Sequence, residues 1–345
     1  MYRGYAGRYG SGNVFTKRRR MRFGWVFAAV LLAALVICTG YTAIDNGHVQ
    51  VRKQRVFCAD LPQALEGFTV LHVSDLGGKR FGAGASELMR SLKNESWDAV
   101  ICTGNMLGEE GDAYAFYELI EAVGTQKPFF FLAGRSDPTP VGRDAGFYTV
   151  VSDWVMGAQS RNAVYVDRPY SFEVDGETVW VSEPSLLTLD LEDTLNAYTA
   201  SGTALGAYWA SVVSETIAAR KSMETDCGLH LLLSAEPLDD ASVRKLLESV
   251  DGDFVRTVDL VLAGGTAAGQ WKIPGVGGVW ALGEWFPKGQ LDGYGYAGSL
   301  LQYVSGGLGV DPQSPLPAFR LLNSPEVTLL TFTNQTDLDT LPVGA

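Results

Sequence analysis

Apolar residues along this chain come in two rhythms. Short unbroken runs, FTVLHVS (68–74), DAVICTG (98–104), PFFFLAG (128–134), LHLLLSAEP (229–237) and VDLVLAGG (258–265), each stop at small or polar residues. Runs of that length between turn-forming residues are the pattern of strands buried on both faces. Between them, apolar spacings of three and four predict helices at about 85–93, 113–123, 189–199, 207–221 and 241–250. Strand and helix alternating in this way predict an α/β fold with parallel strands covered on both sides. Residues 162–184 instead alternate by twos around Asp175-Gly176, a hairpin signal. LLQYVSGGLG (300–309) and EVTLLTF (326–332) add strands near the end, and residues 54–58 add one near the start. No internal repeat and no linker rich in Pro, Gly or Ser divides the region after residue 60.

One run is of another kind. FGWVFAAVLLAALVICTGYTA, residues 23–43, contains no charged residue, and at about 1.5 Å per residue it matches a hydrocarbon layer of about 30 Å. We read it as one N-terminal transmembrane helix. Lys17, Arg18, Arg19, Arg20 and Arg22 precede it and no acidic residue occurs before position 45, so the N-terminus is expected in the cytoplasm and the rest outside. A cleaved signal peptide has a shorter apolar core and a small-x-small site; the site here, near residues 39–43, is weak, and whether the segment is cleaved stays open. The segments expected are a basic cytoplasmic N-terminus (1–22), the anchor (23–43), a lead-in (44–60), one domain (61–333) and a polar tail (334–345).

Composition then narrows the partners. With 46% hydrophobic and 19% charged residues the chain is not disordered. The net charge is −12, and because seven cationic side chains lie in the first 43 residues, residues 44–345 carry −19. Such a domain repels polyanions, so no nucleic-acid partner is expected. The four cysteines, Cys38, Cys58, Cys102 and Cys227, show no metal-binding spacing; a Cys58–Cys227 disulfide is neither implied nor excluded.

In open α/β sheets chemistry sits beyond the carboxyl ends of the strands. The loops there read SDLGG (74–78), TGNML (103–107), AGRSDP (133–138), SAEP (234–237) and AGGTAAGQ (263–270). In order and spacing these five resemble the metal-binding motifs of the calcineurin-like metallophosphoesterases, and in particular their membrane-anchored bacterial branch. The resemblance runs over about residues 60–333 and includes LPQALEGFTVLHVSDL at the start, YVSGGLG (303–309) and PEVTLLTF (325–332). It implies a four-layer α/β/β/α sandwich of two mixed β-sheets.

The family's motifs are Asp-x-His, Gly-Asp, Gly-Asn-His-Asp or Glu, a His often in Ser-His-x-Pro, and Gly-His-x-His before Gly-Gly-Gln. Asp75 matches the first metal-ligating Asp, but Gly77 stands for the first His and Asn105 for the bridging Asp. Arg135 stands for the ligating Asn and Ser136 for the His that helps protonate the leaving group. Asp137 keeps the acidic place beside it, and Ala235, Gly265 and Ala267 replace the last three His ligands. A two-metal phosphoesterase needs a bridging carboxylate and several anionic or imidazole ligands to ionise water near neutral pH. Asn105 lacks the charge and Arg135 puts a cation where a metal would be. Of the three histidines, His48 lies in the lead-in, and His72 and His230 fall in predicted strands as core.

The expectation is therefore a catalytically inactive homologue, a pseudoenzyme on the outer face of the cell membrane, with no cofactor and with an envelope protein or a phosphorylated envelope ligand as partner. The alternative is a membrane-anchored phosphoesterase with a rearranged site, in which Asp75, Asn105, Asp137 and Glu236 converge on a single divalent cation. Arg135 would either pair with Asp75 and Asp137 or, with Arg80, receive an anion. Trp271, Trp280, Trp285, Phe286, Tyr294 and Tyr296 form either a partner or glycan surface or a lid over the sheet edge.

Overall fold

In the computed structural model the described residues are 25–336, except 31, 34, 35, 37–39, 43, 125, 144–148, 250 and 251. Residues 45–345 form one compact unit and residues 1–44 another. In the latter, the described residues from 25 to 42 are helical and mostly exposed. No helix among the described residues is long and apolar enough to cross a membrane; nine residues of the predicted anchor, 23, 24, 31, 34, 35, 37–39 and 43, lie outside them.

Twelve strands build two large mixed sheets. In chain order they are β1 (Gln50–Phe57), β2 (Thr69–Val73), β3 (Ala99–Thr103), β4 (Phe129–Leu132), β5 (Ala163–Tyr165), β6 (Tyr170–Val174), β7 (Glu177–Ser182), β8 (Leu229–Ser234), β9 (Leu260–Ala263), β10 (Gly293–Ala297), β11 (Leu300–Val304) and β12 (Glu326–Thr333). The first sheet has the order β1-β12-β2-β3-β4-β5 and the second β10-β11-β9-β8-β7-β6. In the first, β2 to β5 run parallel and β12 is antiparallel to β2. In the second, β7, β8, β9 and β11 run parallel, with β6 and β10 antiparallel at the edges.

The apolar runs explain this arrangement. Every residue of β3, β4, β8 and β9 is buried, because alternate side chains serve two different cores. Val70, Ile101, Phe130 and Leu330 of the first sheet share one cluster with Val179, Leu231, Leu233 and Leu262 of the second, so the sheets face each other. On the other face of the first sheet, Leu71, Val100, Phe129 and Phe131 pack with α1 (Ser86–Ser91), α2 (Tyr114–Val123) and α3 (Asp153–Gln159). Phe116, Leu119, Ile120 and Val123 make the buried stripe of α2, and Phe116 meets Phe131 edge-on at 5.3 Å. Leu232 and Val261 do the same for the second sheet against Val243 and Leu246 of α6 (Asp240–Leu247). Between β7 and β8 the chain makes a helical hairpin, α4 (Leu191–Ala200) and α5 (Ala204–Met223), joined through Leu191, Val212 and Val213.

His72 and His230 are core residues, fully buried in β2 and β8. His72 Nε2 lies 2.9 Å from Thr103 Oγ1, and His230 bridges Ser182 at 2.7 Å and Thr257 at 2.9 Å. Burial pushes both imidazoles down to about pKa 3, so the folded domain refuses protons that the unfolded chain accepts below its ordinary value of about 6.5. Their stabilising effect is complete above about pH 6.5 and drains as pH falls toward 3, at roughly 1.4 kcal/mol per pH unit per histidine. Circular dichroism followed downward from pH 7 should show cooperative acid unfolding in that window, with the midpoint moving to lower pH in His72→Asn. An unmoved midpoint would rule His72 out as its cause.

Candidate functional site

Hydrogen bonds tie five strand-end loops to one another at one edge. Asp75, just beyond β2, and Asn105, just beyond β3, are fully or nearly fully buried and hold left-handed φ angles of 50° and 54°. A non-glycine residue keeps such a conformation only where its surroundings fix it. The Asp75 carboxylate does much of that fixing. Oδ1 accepts from Asn105 Nδ2 at 2.9 Å, and Oδ2 accepts from Ser74 Oγ at 2.8 Å and from the backbone N–H groups of Gly265 (3.1 Å) and Ala267 (3.3 Å). Asn105 Oδ1 in turn accepts from Ser136 N (3.0 Å) and Ser136 Oγ (2.8 Å). The loops touch so closely that side chains are excluded: a Cβ on Gly134 would lie 2.2 Å from Asn105 N, and one on Gly264 would lie 2.4 Å from Thr103 O.

The sequence reading missed a second buried charge in this cluster. Arg320 is the largest fully buried side chain, and it donates to the carbonyls of Gly306 (2.6 Å), Gly309 (2.7 Å) and Asn323 (3.0 Å). Burial pulls the guanidinium down to about pKa 10, opposed first by the charge of Asp75. Burial also raises the Asp75 carboxyl, against the hydrogen bonds of Asn105 and Ser74 and the Arg320 charge. The signal in the sequence was a lone Arg between Phe319 and Leu321 in an otherwise apolar stretch.

The other predicted positions take other partners. Asp137 accepts from Gly134 N (2.8 Å), Leu107 N (2.9 Å) and Met106 N (3.2 Å), clamping the third loop to the second. Arg135 does not form the expected pair with Asp75 and Asp137. Its Nε donates to Glu236 Oε1 at 3.0 Å, with both side chains partly exposed. A Cβ on Gly283 would lie 2.8 Å from its Nη1, so the Gly283 turn rests on the guanidinium. Arg80 does not join it either: it makes a bidentate pair with Glu118 at 2.8 and 2.9 Å. Asp75 and Asn105 are thus together, Asp137 faces backbone, and Glu236 is held by Arg135. Gly77 receives the Val310 carbonyl, which would be 2.3 Å from a Cβ there, and Gly265 and Ala267 give their N–H groups to Asp75. This donor set does not fit two divalent metals, because both Asp75 oxygens are engaged by protein donors and no imidazole is within the loops. Among the described residues, no cluster of His, Cys, Asp and Glu has metal-binding geometry. Cys58 and Cys227 are free thiols.

Beside this closed cluster, between β4, β5, β7 and β8, lies an open cleft of about 550 Å³. Ala133, Ala235 and Glu236 are shared with the strand-end loops; Tyr165, Trp209 and Leu246 form apolar walls, and Asp167, Glu183 and Lys245 supply charge. Asp167 is fixed by Arg168, Tyr170 and Tyr208. Burial raises the Glu183 carboxyl, against hydrogen bonds from Ser185. The sequence reading also missed this cleft, because its lining comes from separate strands and from the α5 residue Trp209.

In the aromatic stretch, Tyr294 is buried in β10, whereas Trp285, Phe286 and Tyr296 are exposed. Trp271 stacks on Phe319 at 5.2 Å and Trp280 meets Trp285 edge-on at 5.1 Å. No protein-family model matches the chain, and no curated protein matches it.

Replacing Asp137 by Ala removes the acceptor of three buried N–H groups. We expect a loss of about 2–4 kcal/mol in urea unfolding, with no comparable loss in Arg135→Ala, whose ion pair is partly exposed. Equal effects would mean that Asp137 is not the clamp.

Proposed function

We propose that this chain is a catalytically inactive metallophosphoesterase homologue, anchored by residues 23–43 at the outer face of the cell membrane, that acts by binding an envelope ligand or partner. The face-to-face mixed sheets with helices outside agree with the four-layer sandwich that the family resemblance implies. The observation that carries the reading is the Asp75 carboxylate. Its oxygens are taken up by Asn105, Ser74, Gly265 and Ala267, so the one matching metal ligand has become a structural acceptor. The alternative, a hydrolase using a single divalent cation at Asp75, Asn105, Asp137 and Glu236, gains no support from their partners, since Asp75 and Asp137 accept from protein donors and Glu236 is paired with Arg135.

Binding is assigned to the cleft, which is open where the old centre is closed. Asp167 and Glu236 along it are paired with Arg168 and Arg135, which leaves Glu183 as the cleft carboxylate with no arginine partner among the described residues, and both arginines offered for anion binding are already paired. The cleft therefore favours a neutral or cationic polar ligand, such as an amino sugar against Trp209, over the phosphorylated ligand that Arg135 alone suggested.

Two measurements test this. The purified chain, incubated in turn with Mn²⁺, Fe²⁺, Zn²⁺, Mg²⁺ and Ca²⁺, should retain less than about one ion per chain and should not hydrolyse bis(p-nitrophenyl) phosphate. Turnover that disappears in Asp75→Asn would overturn the reading. Separately, an amino-sugar oligomer should change tryptophan emission in the wild type but not in Trp209→Phe, and inorganic phosphate should change it in neither. A response to phosphate alone would reverse the ligand class.

A further inference from the structure

We infer that the surface formed by Trp271, Ile273, Val276, Trp285, Phe319 and Leu322 is a membrane-contact face that beds into the lipid headgroup region. The inference rests on the proposed reading of residues 23–43 as a transmembrane segment.

These side chains form a connected surface. Trp271 stacks on Phe319 and bridges to Leu321 through the backbone, while Ile273, Val276 and Leu322 line one shallow groove. Val279 N–H reaches the Trp271 carbonyl and Phe286 N–H reaches the Val279 carbonyl, which brings the Trp280–Trp285 hairpin alongside. Val276 is 61% exposed, Trp285 55%, Phe286 53% and Leu322 45%. Phe286 and Leu322 also hold φ angles of 51° and 50°, a left-handed conformation that bulky apolar residues seldom adopt. Apolar side chains held outward in strained backbone are the mark of a contact surface rather than of incidental exposure.

The path of the chain identifies what this surface meets. Asp45 and Asn46 are fixed at its edge: Asn46 exchanges two hydrogen bonds with the Arg320 backbone, at 2.7 and 2.8 Å, and Ser324 Oγ donates to Asp45 Oδ1 at 2.6 Å. Phe319 and Leu322 are therefore close neighbours of the point where the chain enters the domain. Asp45 follows the uncharged run by two residues, and two residues span at most about 7 Å. With residues 23–43 across the bilayer, Asp45 lies at its surface, and Phe319 and Leu322, beside it in the domain, come within reach of the headgroups. Tryptophan and phenylalanine settle there because an amphipathic or aromatic ring tolerates both sides of the interface. The occupant is apolar rather than electrostatic, since a domain of −19 has no long-range attraction to anionic lipid.

The test uses the full-length chain reconstituted in phosphatidylethanolamine–phosphatidylglycerol vesicles. Alkaline carbonate extraction reports the anchor. Quenching by lipid brominated near the acyl carbonyl, compared with lipid brominated deep in the chain, reports the patch. The emission lost between wild type and Trp285→Phe isolates Trp285, which should be quenched about twofold more by the shallow bromine than by the deep one. Trp271→Phe should behave alike, and Trp209→Phe, a change in the cleft wall, should leave the absolute amount of quenched emission unaltered. A chain retained after carbonate whose Trp285 component is not quenched would overturn this inference alone and leave the face for a protein partner. A chain released by carbonate would overturn the anchor and the inference together.

Discussion

One buried negative charge holds the carboxyl ends of both sheets together. The Asp75 carboxylate leaves the end of β2, receives Asn105 from the end of β3, and receives two N–H groups from the loop after β9 in the other sheet. The backbone of Asp75 adds the turn after β11, through Gly309 N–H to its carbonyl. A carboxylate in a closed interior is costly unless its lone pairs are filled and a counter-charge is near. Here the lone pairs are filled by fixed donors, and Arg320 supplies the charge from behind the same turn, anchored by three carbonyls. Removing either partner would leave the other buried and uncompensated. The left-handed backbone at Asp75 and Asn105, and the glycines that let the loops touch, follow from that arrangement.

The strands were legible because a strand buried on both faces leaves an unbroken apolar run. The runs at 68–74, 98–104, 128–134, 229–237 and 258–265 are β2, β3, β4, β8 and β9. Helix ends drifted by a few residues, as at α5, which begins at Ala204 rather than near 207, because the Thr203 cap and not the apolar stripe sets its start. Helix α3 and strand β10 escaped notice. GYGYA is glycine and tyrosine at four of its five positions and reads as loop, and it becomes a strand only because β11 offers it an edge. The meeting of Asp75 with Asn105 was legible from loop order. The fates of Arg135 and Asp137 were not, because a choice among nearby carboxylates depends on which backbone N–H groups the loop conformations expose. Asp137 finds three such groups and so needs no cation; Glu236 finds the cation instead.

That choice also decides the electrostatics of the open surface. Arg135 turned outward to Glu236 neutralises one wall of the cleft, while Asp167 is neutralised by Arg168 and two tyrosine hydroxyls. Among the described residues Glu183 accepts hydrogen bonds only from Ser185, and burial raises its carboxyl. A donor placed opposite Glu183 gains from a low local dielectric, whereas a second anion would be repelled by it. The charge left open in the cleft is thus that of Glu183, beside aromatic walls, rather than that of Arg135 or Asp137.

The chain after β9 connects these features physically. Gly265 and Ala267 donate to Asp75, the turn at Gly283 rests on Arg135, and Trp271, Ile273, Val276 and Trp285 lie on the exposed side. A segment fastened at both the buried carboxylate and the surface ion pair cannot shift at one place without straining the other, because close-packed contacts give way discretely and not by smooth deformation. Glu236 belongs at once to the Arg135 pair and to the cleft lining. The Gly283 turn that rests on the Arg135 guanidinium belongs to the same hairpin as Trp285. The loop after β9 thus reaches from the buried carboxylate, through the N–H groups of Gly265 and Ala267, to the apolar surface that begins at Trp271.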